Sequence, residues 1–124
     1  MRFSAAVVLA SLAAFVTAAP VSKAVQSEYF PFTPEGPCVS ACTNSVGKSL
    51  FVNYDDLDSY GPNFIQSLSY TFERGSPTTI SFMTKAGTCM STCPQPELDI
   101  YTANYPLKLT WYKAHKLDTP PPRP

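Results

Sequence analysis

Charge is scarce in this 124-residue chain: Asp, Glu, Lys and Arg make up only 15%, and the nine basic residues are balanced by nine acidic ones. With no basic excess to neutralise a phosphate backbone, nucleic acid is excluded as a partner. There is one histidine, His115, and no Cys, Ser or carboxylate stands beside it in the spacing of a nucleophile or base. No Asn-x-Ser/Thr sequon occurs, so N-glycosylation is not expected. Only five glycines are present against thirteen prolines, a balance that argues against long helices. No cofactor motif is found, and none is expected to be bound.

The longest apolar run, Ala5 to Val16, follows the basic Met1-Arg2 and is too short to cross a bilayer. With small or β-branched residues at Val16-Thr17-Ala18, it predicts a signal peptide over 1–18, cleaved after Ala18. The C-terminus, Thr119 to Pro124, is polar and proline-rich where a lipid-anchor signal would be apolar, so a secreted, unanchored product is expected. The mature part divides into one domain over 19–118 and a flexible proline-rich tail over 119–124, with residues 19 to about 28 a second flexible end.

Four cysteines are present, Cys38, Cys42, Cys89 and Cys93. In a secreted domain of this size they predict two disulfides, and the oxidising compartment and C-x3-C spacing argue against zinc. At an offset of 51 residues, Thr33-x-x-Gly36-x-Cys38-x-Ser40-x-Cys42 recurs as Thr84-x-x-Gly87-x-Cys89-x-Ser91-x-Cys93, and Asn53-Tyr54 as Asn104-Tyr105. The simplest account is a duplicated half-domain. All three pairings survive exchange of the copies, but a Cys38–Cys93 bridge closes a loop worth about 4 kcal/mol, against about 2 for a local Cys38–Cys42 ring. Residues four apart point the same way on a helix or a strand, so each pair presents both sulfurs to one partner surface. Cys38–Cys93 with Cys42–Cys89 is favoured.

Phe64, Leu68, Tyr70 and Phe72 alternate with Ser67, Ser69 and Thr71, the period-two pattern of a strand. After the turn residues Glu73 to Pro77, Ile80 and Phe82 resume the alternation and predict a hairpin; Leu107 to Tyr112, Leu50 to Tyr54 and Leu98 to Tyr101 are further strands. Cys38 to Val46 is a helical turn or two before Gly47. The expected fold is mainly β, a small antiparallel sandwich or open barrel stapled by disulfides. Phe30-Pro-Phe-Thr-Pro34 is expected to cover its open edge.

Asp55, Asp56 and Asp58 are a weak calcium candidate or acid/base pair, lacking the glycine and distal glutamate of an EF-hand; a solvated turn is the plainer use. Tyr54, Tyr60, Tyr101, Tyr105 and Tyr112 are not committed to the expected core face and could offer rings to a glycan. Met83 and Met90 fill core gaps, and 55–62 and 74–77 are candidate contact loops.

The alanine-rich leader running into Ala18-Ala19-Pro20-Val21, a small mature domain and paired cysteines resemble the small secreted cysteine-rich proteins of filamentous fungi. The resemblance covers the leader and cysteine layout, and it lacks the denser cysteine framework of hydrophobins. It implies an effector-like, virulence-associated role, and with no catalytic set in the sequence the expected product is a non-enzymatic, monomeric binding protein with a host protein as partner. The alternatives are a module for cell-wall glycan and a small secreted hydrolase or toxin.

Overall fold

The computed structural model describes residues 27–124; the expected signal peptide and its cleavage site lie outside the described residues. Four helices follow in order: α1 (Pro37–Leu50), α2 (Phe64–Phe72), α3 (Pro77–Met90) and α4 (Gln95–His115). The expected sandwich or barrel is overturned, since no strand occurs among the described residues.

The reason lies in which side chains are buried. Phe64, Leu68 and Phe72 are four apart, a spacing that satisfies period two and period 3.6 equally. Ser67 and Thr71, expected on the solvent side, are buried with them. Tyr70, expected beside the phenylalanines, packs instead against a different core cluster. Ile80 and Phe82, two residues apart in the expected hairpin, face opposite ways on α3: Ile80 is 63% exposed and Phe82 fully buried. Buried Ser67 stays satisfied because its Oγ donates to the Asn63 carbonyl at 2.6 Å and accepts from the Asp55 amide at 2.8 Å.

Prolines start helices here. Pro37, Pro77 and Pro96 occupy the first or second positions of α1, α3 and α4, where the missing amide hydrogen has no intrahelical partner to lose. Ser76 caps α3, its Oγ accepting from the Thr78 and Thr79 amides. The cap of α1 comes from another helix: Glu97 Oε1, in the first turn of α4, accepts from the Val39 amide at 2.9 Å. Gly36, at φ +132°, makes room, because a Cβ there would collide with the Glu97 side chain. Glu97→Ala is expected to lower stability by about 1 kcal/mol, as for loss of a side-chain cap, measured by urea unfolding.

Two apolar clusters form the core. The first joins α1, α3 and the segment after α1 through Val39, Cys42, Tyr54, Phe82, Ala86 and Met90; the second joins α2 and α4 through Phe64, Leu68, Phe72 and Tyr112. On α1 the inward stripe Val39, Cys42, Thr43, Val46, Gly47 and Leu50 follows the 3.6-residue period. Cys38 bonds Cys93 and Cys42 bonds Cys89, the cross-pairing favoured on loop entropy. They tie the first turns of α1 to the end of α3 and the turn beyond it.

The duplicated half-domain is also overturned. Gly36 precedes α1 whereas Gly87 lies in the last turn of α3, and Asn53 is exposed in a loop whereas Asn104 is buried inside α4. The matched residues therefore occupy unlike structural positions. Among the described residues no helix is long and apolar enough to cross a membrane.

Candidate functional site

The segment 27–36 lies as a strap along α4, and one helical stripe holds it. Asn104 Nδ2 donates to the Thr33 carbonyl (2.8 Å) and to Glu35 Oε2 (3.2 Å), and Lys108 pairs with the same carboxylate. One turn further, Trp111 Nε1 donates to the Tyr29 carbonyl at 2.9 Å. Phe30 inserts its ring edge-on between Phe64 and Trp111, both at 4.9 Å, with Lys108 Nζ 5.3 Å from its centre. The segment expected to cover a sheet edge covers the α2–α4 seam instead, since no sheet occurs among the described residues.

Between strap, α1, α2 and α4 lies a pocket of about 60 Å³. Phe64, Leu68 and Phe72 form its α2 wall, Phe30 and Phe32 its strap wall, and Tyr101 and Tyr105 its α4 wall. Polar groups reach it from three sides: Thr43 on α1, Asp56 from the α1–α2 loop, and the Glu35–Lys108 pair. An apolar concavity with few convergent polar groups is the general form of a small-molecule site.

The three aspartates do not converge. Asp55 Oδ1 accepts from the Leu57 amide at 3.0 Å, and Asp58 takes the Arg123 guanidinium through both oxygens. Asp56 turns inward, where Oδ2 accepts from Tyr54 Oη (3.0 Å) and Oδ1 from Asn44 Nδ2 (3.4 Å). Among the described residues the one grouping with metal-ligand geometry is Cys38, Cys42 and Cys93, whose sulfurs are spent in disulfides. Arg123 holds Asp58 below the usual carboxylate range and brings the proline-rich tail back against the Tyr60 ring.

Burial pushes the Asp56 carboxyl up, against hydrogen bonds from Thr43, Tyr54 and Asn44 that pull it down. The folded chain thus holds this proton more tightly than the unfolded chain does. The stability it contributes is fully present below the unfolded value of 3.8 and is lost as pH rises through the folded value. Asp56→Asn removes that dependence. The variant is expected to gain on the native chain between pH 3.5 and 7, as read from urea midpoints at the two pH values. Asp58 and Glu73, both shifted down by their partners, act in the opposite sense but equally in both proteins, so they cancel in the difference.

The five tyrosines do not form one exposed face. Tyr54 is 1% exposed in the first cluster and Tyr112 is 4% exposed in the second, its hydroxyl donating to Glu73 Oε1 at 2.9 Å. Tyr60, Tyr101 and Tyr105 are half-buried: Tyr101 and Tyr105 line the pocket, and Tyr60 lies beside Tyr29 and Arg123. Burial and the bond to Glu73 push the Tyr112 hydroxyl well up. His115 stacks on Trp111 at 4.2 Å with Nδ1 2.9 Å from the Trp111 carbonyl oxygen, and Tyr29 meets both rings edge-on. Burial and the bond to Asp118 push the Tyr29 hydroxyl up to about 12.

The strap residues Phe30, Glu35 and their holders Asn104 and Lys108 were not singled out by sequence reasoning as site residues. Their signal is the α4 spacing 104, 108, 111, 115, which places an amide, an ammonium, an indole and an imidazole on one helical face. Comparison with known proteins finds no family model, no curated sequence and no solved structure that matches this chain.

Proposed function

We propose that the chain is a secreted, non-enzymatic binding protein that acts outside the producing cell on a host protein, as its leader and cysteine layout imply. The observation that carries this reading is the pair of bridges clasping α1 to α3, with no free cysteine among the described residues. Disulfides form and persist in oxidising compartments, and a small domain clasped in this way seldom opens to the proteases that degrade unfolded chains. The catalytic candidates support the same reading by their engagements: His115 is committed to an aromatic stack, and the three aspartates to separate local partners. The surface offered to a partner includes the loop tip at Val52, 80% exposed, and the turn at Arg74-Gly75.

The test begins with expression from the native leader. Recovery from the medium of an oxidised monomer whose N-terminus is Ala19 is the expected result, and retention inside the cell overturns secretion. The secreted protein is then cross-linked in host extracellular fluid, beside a reduced and alkylated sample and beside insoluble chitin and β-glucan. One saturable protein partner, lost on reduction, supports the proposal. Saturable pelleting with a polysaccharide, or host activity unchanged by reduction, overturns it.

A further inference from the structure

Among the described residues one buried side-chain polar atom lacks any hydrogen-bond partner, and it belongs to the pocket wall: Tyr101 Oη. Tyr101 lines the pocket together with Tyr105 and Glu35. A phenol held out of water without an acceptor costs stability, and such groups in a folded protein call for an explanation.

We propose that the pocket binds a small neutral oxygenated molecule, of the short-chain ketone or alcohol class, whose oxygen accepts from Tyr101 Oη while its carbon skeleton lies against Phe30, Phe64 and Phe72. Each part of that description follows from the walls. Lys108 is taken by Glu35, so an anion finds no free counter-charge, and burial, which pushes the Asp56 carboxyl up, disfavours a charged partner there. Size sets the limit, because an apolar cavity of ~150 Å³ admits benzene and this one is about 60 Å³, room for a few heavy atoms. Water is the rival occupant, since Ser40, Thr43, Ser59 and Thr71 also line the pocket, and butanone has to displace it. A carbonyl on a short hydrocarbon asks for one donor and gains from the apolar walls. This inference is independent of the host-protein reading, which concerns the outer surface.

The probes are butanone and its hydrocarbon counterpart 2-methyl-1-butene, in which a methylene replaces the oxygen, titrated into the secreted protein with bridges intact and followed by amide and aromatic NMR shifts. Butanone is expected to shift Phe64, Leu68, Tyr101 and Tyr105 saturably, and the hydrocarbon to bind about tenfold more weakly. Tyr101→Phe removes only a hydroxyl that nothing in the protein uses. It is expected to keep its fold, to bind butanone about tenfold more weakly than the native chain, and to lose the preference for oxygen. If that variant fails to fold, NOEs from the butanone methyls to the native Tyr101 ring decide the matter. Absence of saturable shifts, equal butanone binding by Tyr101→Phe, absence of those NOEs, or a long-lived water on Tyr101 that butanone does not displace overturns the proposal.

Discussion

Replacing all four cysteines by alanine is expected to unfold the domain, whereas removing either bridge alone leaves it folded. The bridges are nested, with sequence separations of 55 and 47 residues. Closing either long loop first is worth about 4 kcal/mol of unfolded-state entropy. Once it is closed, the second bridge completes a ring of only about ten residues and adds roughly 2.5 kcal/mol more. Each single loss therefore costs the smaller increment, and the double loss about 6.5 kcal/mol, most or all of what a small domain possesses. Cys42 and Cys93 are buried, so alanine is preferred to serine, which would bury a new hydroxyl. Urea unfolding of Cys38→Ala/Cys93→Ala, Cys42→Ala/Cys89→Ala and the fourfold variant, followed by far-UV circular dichroism, checks this. Two single losses of about 4 kcal/mol each that add in the fourfold variant would show independent bridges and refute the nested account.

The covalent frame was legible because a four-residue cysteine spacing aligns two sulfurs on a helix and on a strand alike. The same degeneracy hid the fold. Phe64, Leu68 and Phe72 obey both periods, so the arbiters are Ser67 and Thr71, which a strand turns to water, and Tyr70, which a strand turns to the side of the phenylalanines; the helix buries the first two and sends Tyr70 to the other cluster. Small hydroxyl residues serve here as close-approach positions, their oxygens satisfied by backbone groups in the same helix or the adjacent loop. Thirteen prolines argued against helix, yet Pro37, Pro77 and Pro96 stand at helix starts, where proline is favoured. One helical stripe was there to be read, Val39-Cys42-Thr43-Val46-Gly47-Leu50, had Gly47 not been treated as a stop. The pocket could not be read at all, because it exists only when the strap folds back on α4 and brings Glu35 to Lys108 and Asn104. Of its groups, sequence reasoning singled out Asp56, Tyr101 and Tyr105 for other chemistry.

Tyr54→Ala is expected to cost 3–5 kcal/mol, the range for truncating a fully buried aromatic side chain. Its ring stacks near Phe82 at 5.8 Å, meets Tyr70 edge-on at 6.1 Å, and lies directly over Gly47. That last contact makes the glycine obligatory: a Cβ at position 47 would overlap the base of the Tyr54 ring, which is anchored to the backbone and cannot swing clear. Gly47→Ala is therefore expected to destabilise by about 1–3 kcal/mol, although alanine in a helix interior is normally favoured over glycine by about 1 kcal/mol. With the ring gone the same substitution fills open space, and its sign reverses. In the Tyr54→Ala background Gly47→Ala should be neutral or stabilising by up to about 1 kcal/mol, a coupling of about 2 kcal/mol between the two positions. Urea unfolding of the two single variants and the double variant measures it. Equal destabilisation by Gly47→Ala in both backgrounds would mean that the ring does not rest on the glycine, and that the turn of chain carrying Asp56 toward the pocket is held by something else.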